Sequence, residues 1–315
     1  MIGFSKWAGT ACGMALSLAA VQPAEAAWSV TSFDRAGASD SQLWGINDAG
    51  QFVGSDSLGG YLVSGGLTTS LSGPAGATQV TPFAISNAGL VVGSWYGADN
   101  SEHGFLLQGG QYTNFDVAVP GALRTEIRHI SLDGRWLTGI YVDGSGLQSG
   151  FVFDRTSSAL QTVSTANAIT FMQGANSAGV VVGNAAPGGG LVFDASTGGL
   201  QVFKTVAGVG GAPRFRDIND AGLITGFAAQ QAIVGTLAGG FTALPVGGAA
   251  VSFGEGLNNV GQLVGTFTDA NGFAHGFIAS SVPEPSSAAF LLAGLVLLGG
   301  ARLSRLRRGS EGSLS

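Results

Sequence analysis

The stretch Ile46-Asn47-Asp48-Ala49-Gly50 decides the fold, because five related stretches follow it along the chain. In each stretch an aliphatic residue precedes Asn or Ser, and Gly comes three residues after that polar residue. Asn and Ser open turns by bonding to nearby backbone, and Gly takes positive φ at low cost. Each stretch therefore predicts a tight turn between two β-strands. The other five are ISNAG at 85–89, ISLDG at 130–134, ANSAG at 175–179, INDAG at 218–222 and LNNVG at 257–261.

The spacing of these turns predicts a repeated β-structure. Their closing glycines lie 39, 45, 45, 43 and 39 residues apart, so one repeat is about 42 residues long. Five copies contain four strand-like runs, whereas the sixth lacks the fourth and residues 28–33 form a spare run before the first copy. Four strands per repeat in six copies predict an all-β fold, namely a six-bladed β-propeller. Residues 28–33 are expected to supply the missing strand of its last blade. A right-handed β-solenoid is the alternative, but it does not account for the missing and the spare strand.

Composition excludes several classes of protein. The hydrophobic fraction of 45% is too high for a disordered chain, although Gly supplies 54 of the 315 residues. Residues 27–285 hold 17 acidic and 8 basic side chains, a net charge of −9, so a nucleic-acid-binding face is not expected. The only cysteine is Cys12, which leaves residues 27–281 without a thiol for a disulfide, a metal or a nucleophile.

The N-terminus predicts an export signal. An apolar run at 8–21 follows Lys6, and Ala24 and Ala26 then form the small-x-small pattern that signal peptidase cleaves. We expect cleavage between Ala26 and Ala27, which makes residues 1–26 a signal peptide. An uncleaved anchor is the alternative, but the run is short for a membrane span.

The C-terminus predicts a membrane anchor behind a proline-flanked spacer. The motif Val282-Pro283-Glu284-Pro285 precedes an apolar run at 288–301. A helix over about residues 286–303 would be roughly 27 Å long, close to the ~30 Å apolar core of a bilayer. Basic residues at the end of this helix and just after it place the tail at 309–315 in the cytoplasm and the repeats, residues 27–281, outside. These basic residues are Arg302, Arg305, Arg307 and Arg308.

This three-part end, over residues 282–308, resembles the PEP-CTERM sorting signal. The resemblance implies recognition and removal by an exosortase at or near Pro283-Glu284-Pro285, in Gram-negative bacteria that typically make exopolysaccharide. The extension at 309–315 is longer than is usual in that family. The repeats resemble bacterial extracellular HAF repeats, best at residues 257–278, and this resemblance implies an extracellular location while leaving the molecular role undefined.

No catalytic constellation stands out in the sequence. The chain has three histidines, at 103, 129 and 275, and lacks both a G-x-S-x-G elbow and a histidine pair suited to zinc. We therefore predict no catalytic residue, no metal site of that kind and no enzymatic activity.

Three long loops offer the candidate ligand positions. They carry oxygen-bearing side chains that are able to bind Ca²⁺ or sugar hydroxyls, but that are also typical of solvated hairpin tips. Trp95, placed in one such loop, is the candidate for stacking on a sugar ring, whereas core packing is expected for Trp44 and Trp136. The loop candidates are Asp99, Asp143, Asp269 and Asn271.

Together these features predict an exported protein that is tail-anchored in the inner membrane before processing and then reaches the outer surface or the extracellular matrix. It would act there as a structural or binding module, with exopolysaccharide as a candidate partner beside signal peptidase, exosortase and the membrane. The alternative is a carbohydrate-active hydrolase or lyase on a propeller scaffold, which requires a pair of acids at the channel mouth.

Overall fold

The repeats form six antiparallel sheets of four strands each. The computed structural model describes residues 27–165 and 169–282, which hold 24 strands. The first three blades comprise β2 (Gln42–Ile46), β3 (Phe52–Asp56), β4 (Gly59–Ser64) and β5 (Leu67–Ser70); β6 (Gln79–Ile85), β7 (Val91–Tyr96), β8 (Glu102–Gln108) and β9 (Gln111–Phe115); and β10 (Ala122–Ile130), β11 (Trp136–Asp143), β12 (Gln148–Asp154) and β13 (Ala159–Val163). The last three comprise β14 (Ile169–Ala175), β15 (Val180–Ala186), β16 (Gly189–Asp194) and β17 (Gly199–Phe203); β18 (Arg214–Ile218), β19 (Ile224–Ala228), β20 (Gln231–Thr236) and β21 (Gly240–Ala243); and β22 (Ala249–Leu257), β23 (Gln262–Asp269) and β24 (Ala274–Val282) with β1 (Ala27–Phe33).

The sheets close into a ring, and the predicted six-bladed propeller is confirmed. The second strand of each blade packs against the first strand of the next, and β23 of the sixth blade packs against β2 of the first. Six hydrophobic clusters fill the blades and the spaces between them. Successive apolar residues of one strand enter clusters on opposite faces of their sheet, as Val91 and Val92 do, because these sheets are buried on both faces.

The predicted turns are also confirmed. In the first repeat the backbone N–H of Gly50 donates to the carbonyl of Asn47 at 3.0 Å, and Gly50 has a φ of 72°. Such a turn needs a residue in the left-handed region, where glycine carries no Cβ penalty. The closing glycines of the other five turns have positive φ as well.

Four turn asparagines have a second structural role that the sequence did not predict. Each of them links its own turn to the next blade. Asn47 Oδ1 accepts the backbone N–H groups of Ala49 and Gln51, while its Nδ2 donates to the Ser86 carbonyl of the next turn at 3.0 Å. The sixth turn closes the circle, since Asn258 Nδ2 donates to the Asn47 carbonyl at 2.9 Å. The other two links of this kind, from Asn176 to the Asn219 carbonyl and from Asn219 to the Asn258 carbonyl, measure 3.4 and 3.0 Å. We call these four side chains the asparagine links.

The spare N-terminal strand completes the last blade, as predicted. β1 pairs with β24 at the outer edge of the sixth sheet. Phe33 packs edge-on against Phe52 at 5.0 Å between ring centroids, while Trp28 and Val30 pack against the sixth blade's apolar cluster. The closure therefore joins the first and last described segments of the chain and covers an exposed sheet edge.

Deleting residues 28–33 should open the ring and lower the melting temperature of the full chain by about 10 °C or more. The deletion removes three half-buried apolar side chains, each worth about 1.5–3 kcal/mol when fully buried. The double variant Ser29→Ala with Thr31→Ala, whose side chains are exposed on the same strand, is the control and should melt like the wild type. Thermal unfolding followed by circular dichroism measures both, and equal melting curves for deletion and control would contradict the closure.

Replacing one asparagine link should destabilise the ring. Asn258 is fully buried, so Asn258→Ala leaves the Asn47 carbonyl and the sixth turn without their partners, at a cost of about 1–3 kcal/mol in the free energy of unfolding. Asn271→Ala makes the same change at an exposed hairpin tip and should cost less than about 0.5 kcal/mol. Urea unfolding of the two variants measures the difference; a loss of equal size in both would rule out the linking role.

Candidate functional site

A β-bulge interrupts the innermost strand of every blade at the same distance from the turn. In the first blade Leu43 pairs with Gly54 and Gly45 with Val53, so Trp44 has no partner across the ladder. The register shifts at the corresponding place in all six inner strand pairs. A bulge bends its strand and redirects the extra side chain. The six residues that stand six positions before the closing glycines are Trp44, Phe83, Arg128, Gln173, Arg216 and Glu255.

These six residues, which we call the bulge ring, converge on the axis of the propeller. All of them line one constriction of about 10 Å³, together with His129. The residues before and after each bulge are buried among the blades, so it is the bulge that turns the extra residue toward the axis. In the sequence these six residues share only their distance from the closing glycines. They were not predicted as a site because they have no residue type in common.

Aromatic, cationic and anionic side chains contact one another in and beside the bulge ring. Arg128 lies 4.6 Å from the centroid of Phe83, and its Nε is 3.0 Å from Glu126 Oε1. Arg216 Nε lies 3.4 Å from Glu255 Oε2. Guanidinium groups stack on aromatic faces and stay charged when buried, which makes arginine suited to such a place.

Burial raises the pKa of Glu255, while the neighbouring Arg216 and Arg128 act in the opposite direction. The pKa of Glu126 is raised for the same first reason, against the lowering effect of Arg128. Both carboxyl groups are thus harder to ionise than usual, whereas the guanidinium groups beside them remain cationic. The bulge ring itself brings two guanidinium groups and one carboxyl group to the axis.

A wider cavity of about 600 Å³ lies at the mouth of the channel, above the bulge ring. The cavity lies at the N-terminal ends of the innermost strands. Gln42, the first residue of β2, lines it, whereas Asn47 follows the C-terminal end of that strand. Three guanidinium groups and one carboxyl group line this mouth. Its lining consists of Gln42, Trp44, Arg128, Phe171, Gln173, Asn184, Arg214, Arg216, Phe227, Phe253, Glu255, Thr266, Thr268 and Ala274.

Two oxygen atoms in the mouth lining are buried without a hydrogen-bond partner among the described residues. They are Oδ1 of Asn184 and Oγ1 of Thr266, on side chains of residues that are 4% and 8% exposed. Buried polar groups are nearly always hydrogen-bonded, and leaving one unbonded costs about 1–3 kcal/mol. The mouth thus offers two oxygens whose bonding is incomplete within the chain.

A set of hydrogen bonds next to the bulge ring, which we call the brace, joins several blades. His129 Nε2 lies 3.0 Å from Asp217 Oδ1, and Ala175 N–H donates to His129 Nδ1 at 3.2 Å. Asp217 Oδ2 in turn accepts the Leu257 N–H at 2.8 Å. The brace connects blades three, four, five and six, and these partners give both side chains a structural role.

The other two histidines occupy equivalent places in blades two and six. His103 Nδ1 lies 2.9 Å from Asp116, and its ring stacks on Trp95 with 4.9 Å between centroids. His275 Nδ1 lies 2.9 Å from Asp34, and its ring stacks on Phe267 in the same way. Both are hydrogen-bonded strand residues at the outer side of their blades.

The five loop candidates lie outside the channel-mouth lining. Asp99 Oδ1 accepts the N–H and hydroxyl of Ser101, and hydrogen bonds from Ser101 lower its pKa. Asp143 and Asp269 accept backbone N–H groups of their own loops in the same manner, and Asn271 donates to Asp269. Within residues 27–165 and 169–282 no group of three or more His, Cys, Asp or Glu side chains is arranged to hold a metal ion. Ca²⁺ binding at these loops stays a prediction.

The placement of Trp95 in a loop is wrong. Trp95 belongs to β7, pairs with His103 across the ladder and is 8% exposed inside the apolar cluster of its blade. The ladder between β7 and β8 extends further than the apolar run of β7 indicates, so the indole is packed instead of offered to solvent. Trp136 packs in a core as predicted, whereas Trp44 combines packing with a place in the mouth.

The sorting and cleavage residues fall outside the described residues, apart from Ala27 in β1 and Val282 at the end of β24. This applies to the signal peptide at 1–26 and to the predicted membrane helix at about 286–303. No helix with the length and apolarity of a membrane span occurs within residues 27–165 and 169–282.

Comparison with known families identifies the C-terminal segment. Residues 281–308 match the PEP-CTERM protein-sorting motif. This motif implies export, a membrane-anchored sorting signal at the C-terminus and processing by an exosortase. No curated protein matches the chain by sequence. The resemblance of the blades to HAF repeats stays a prediction.

Solved propellers resemble the chain at low identity. A prolyl endopeptidase structure matches with a TM-score of 0.45 at 11% identity, over 82% of this chain and 43% of that one. Oligogalacturonate lyase from Vibrio parahaemolyticus matches with 0.46 at 10% identity, over 83% and 99%. TolB from Acinetobacter baumannii matches with 0.41 at 11% identity, over 76% and 63%. Likenesses at this level carry no information on the activity of this chain.

Replacing Glu255 by Gln should change the pH dependence of stability. The ordinary pKa of the carboxyl is 4.5 and burial raises it in the folded state, so the unfolded chain gives up its proton first as pH rises. Stability conferred by the protonated form is therefore lost with rising pH from about 4.5 up to the folded pKa, and Glu255→Gln removes this loss. The variant should gain stability relative to wild type between pH 5 and pH 8, as measured by urea unfolding.

Asp99→Asn is the matched control for this experiment. Hydrogen bonds lower the pKa of Asp99 from 3.8, so its linkage acts below that pH and its stability difference from wild type should stay constant between pH 5 and pH 8. A pH-independent difference for Glu255→Gln as well would show that Glu255 ionises normally.

Proposed function

We propose that this chain is an exported, exosortase-sorted protein of the bacterial cell surface or extracellular matrix, and that its propeller is a binding module without catalytic activity. Exopolysaccharide is the proposed partner. The PEP-CTERM motif at residues 281–308 supports the sorting route. The ligand is bound at the channel mouth, and the cavity of about 600 Å³ there is the observation that carries the binding role.

The mouth has the properties of a binding site and few of an acid-base catalytic site. Its lining combines aromatic rings, guanidinium groups and two oxygens with incomplete hydrogen bonding. One carboxyl group, Glu255, lies in that lining, and it is ion-paired with Arg216. Glycoside hydrolysis uses two carboxyl groups on either side of the scissile bond, so the enzyme alternative has less support than binding.

A rigid ring suits a protein that holds a ligand at its axis. The asparagine links join four of the six turns to the next blade, and β1 completes the last sheet, so these contacts form the mouth before the ligand arrives. Preformed sites avoid the entropic cost of ordering side chains and loops on binding. An extracellular matrix component would gain from this, because its polymer partner already loses flexibility when bound.

The sorting route is tested by intact mass and terminal sequence of the protein from the envelope and the medium of its native host. We expect a species that begins at Ala27 and ends near Pro285, recovered outside the inner membrane. The replacement of both Pro283 and Pro285 by Ala should leave Arg308 in the membrane-bound protein, while Pro213→Ala, within the propeller, should be processed normally. Wild-type protein that retains Arg308 in the inner membrane would contradict release.

Binding is tested on the same processed species by co-sedimentation with exopolysaccharide purified from the host. The protein should pellet with the polymer, and Trp44→Ala in the mouth should reduce the pelleted fraction. Trp136→Phe, which changes a tryptophan buried in a blade core, is the control for altered packing. Absence of the wild-type protein from the pellet would reject exopolysaccharide as its partner.

A further inference from the structure

The channel mouth collects positive charge in a domain that is otherwise acidic. Residues 27–285 have a net charge of −9, yet three of their eight basic side chains line this one cavity. They are Arg128, Arg214 and Arg216. A cleft lined by one sign of charge between low-dielectric walls concentrates ions of the opposite sign. The clustering therefore indicates an anionic ligand.

Arg214 differs from the other two guanidinium groups of the mouth in its contacts. It donates to the Ala185 carbonyl at 3.1 Å and has no ion-pair partner among the described residues. The acids Glu126 and Glu255 lie beside Arg128 and Arg216. Arg214 and Arg216 both belong to β18 and line the same cavity, because the bulge turns Arg216 toward the axis. A guanidinium group without an acidic partner suits a carboxylate group, which accepts two parallel hydrogen bonds from one arginine.

The rest of the mouth lining suits a ligand that is larger than an inorganic anion. Asn184 Oδ1 and Thr266 Oγ1 belong to residues of the mouth lining and lack partners among the described residues, so a ligand hydroxyl group that reaches them completes their hydrogen bonding. Phe171, Phe227 and Phe253 add apolar faces to the wall, and the volume of about 600 Å³ exceeds that of an inorganic ion. A fatty acid would fill the apolar part but leave both oxygens unbonded, which costs free energy.

From these three features we infer that the mouth binds a carboxylated saccharide, with the carboxylate at Arg214 and Arg216, ring hydroxyls at Asn184 and Thr266, and a sugar face on the phenylalanine wall. This inference rests on the proposed binding function and adds the ligand's chemical class. Uronate residues supply the carboxylate, the hydroxyls and the apolar C–H face in one unit.

The test titrates the full chain, kept in mild detergent, with trigalacturonic acid and with maltotriose by isothermal calorimetry. The acidic trimer should bind at least tenfold more tightly than the neutral trimer, and its affinity should fall as salt rises from 50 to 300 mM. Equal affinity for the two trimers would overturn the inference. Adenosine 5′-monophosphate, which also joins an anion to hydroxyls and an aromatic base, should bind at least tenfold more weakly than the acidic trimer, and equal binding would also overturn it.

Arg214→Gln isolates the charge, because it leaves no carboxylate unpaired. It should weaken binding of trigalacturonic acid at least tenfold, while Arg214→Lys should restore part of the affinity. Arg155→Gln is the matched control, since Arg155 also donates to one backbone carbonyl, that of Gly134, but lies at an exposed turn outside the mouth. Equal affinities of Arg214→Gln and Arg155→Gln would overturn the inference. The comparison of trimers on wild-type protein keeps the test valid if a variant fails to fold.

A last titration separates this inference from the proposed partner. Host exopolysaccharide is compared before and after chemical reduction of its carboxylates to alcohols. Loss of binding on reduction supports both proposals. Binding of trigalacturonic acid without binding of the host polymer supports the inference and rejects the proposed partner, whereas unchanged binding after reduction supports the partner and overturns the inference.

Discussion

The hydrogen bond from a turn asparagine to the carbonyl of the next turn is the contact on which the rest of the molecule depends. A turn needs only the Oδ1 acceptor of Asn47, which leaves the amide N–H group free to reach Ser86 in the neighbouring blade. One side chain therefore fixes both the local turn and the offset between blades. Where serine replaces asparagine, as at Ser86 and Ser131, the hydroxyl is too short, and backbone or tryptophan N–H groups make the contact to the next blade.

Once the blades are offset in this way, the six innermost strands meet closely around the axis, and the bulge follows from the lack of space. A Cβ added at Gly45 would lie 2.7 Å from the backbone of Ala84, and one at Gly256 would lie 2.8 Å from the Trp44 carbonyl. The residue after each bulge must therefore be small or engaged in the brace, as His129 and Asp217 are. The bulged residue itself can be large, because the bend turns its side chain toward the axis of the propeller.

The sequence predicted what local chemistry determines. Turn residues and their spacing yielded six blades, and the missing strand of the sixth copy yielded the closure by residues 28–33. The site escaped prediction because it depends on ring closure and on a bulge, and neither changes the local pattern of apolar residues. Trp44 resembles any strand tryptophan in the sequence, and the loop assigned to Trp95 is shortened by the β7–β8 ladder. Loop residues such as Asp99 were predicted as ligand positions because their side chains carry oxygen atoms. In the structure the Asp99 oxygen accepts hydrogen bonds from its own loop instead.

Comparison among the repeats themselves argues that function lies at the bulge ring. The position four residues before each closing glycine is aliphatic in all six copies, and the next is always Asn or Ser, because packing and the turn accept little else. At the bulge the same scaffold holds tryptophan, phenylalanine, two arginines, glutamine and glutamate. Lysine is absent there, although Lys204 shows that it occurs in the domain. Arg128 lies over the ring of Phe83 and Arg216 over that of Phe227, and a planar guanidinium stacks on an aromatic face in a way that a lysine ammonium does not. The bulge is thus a position where the repeated scaffold accepts varied side chains, which is why we propose that the ligand binds there.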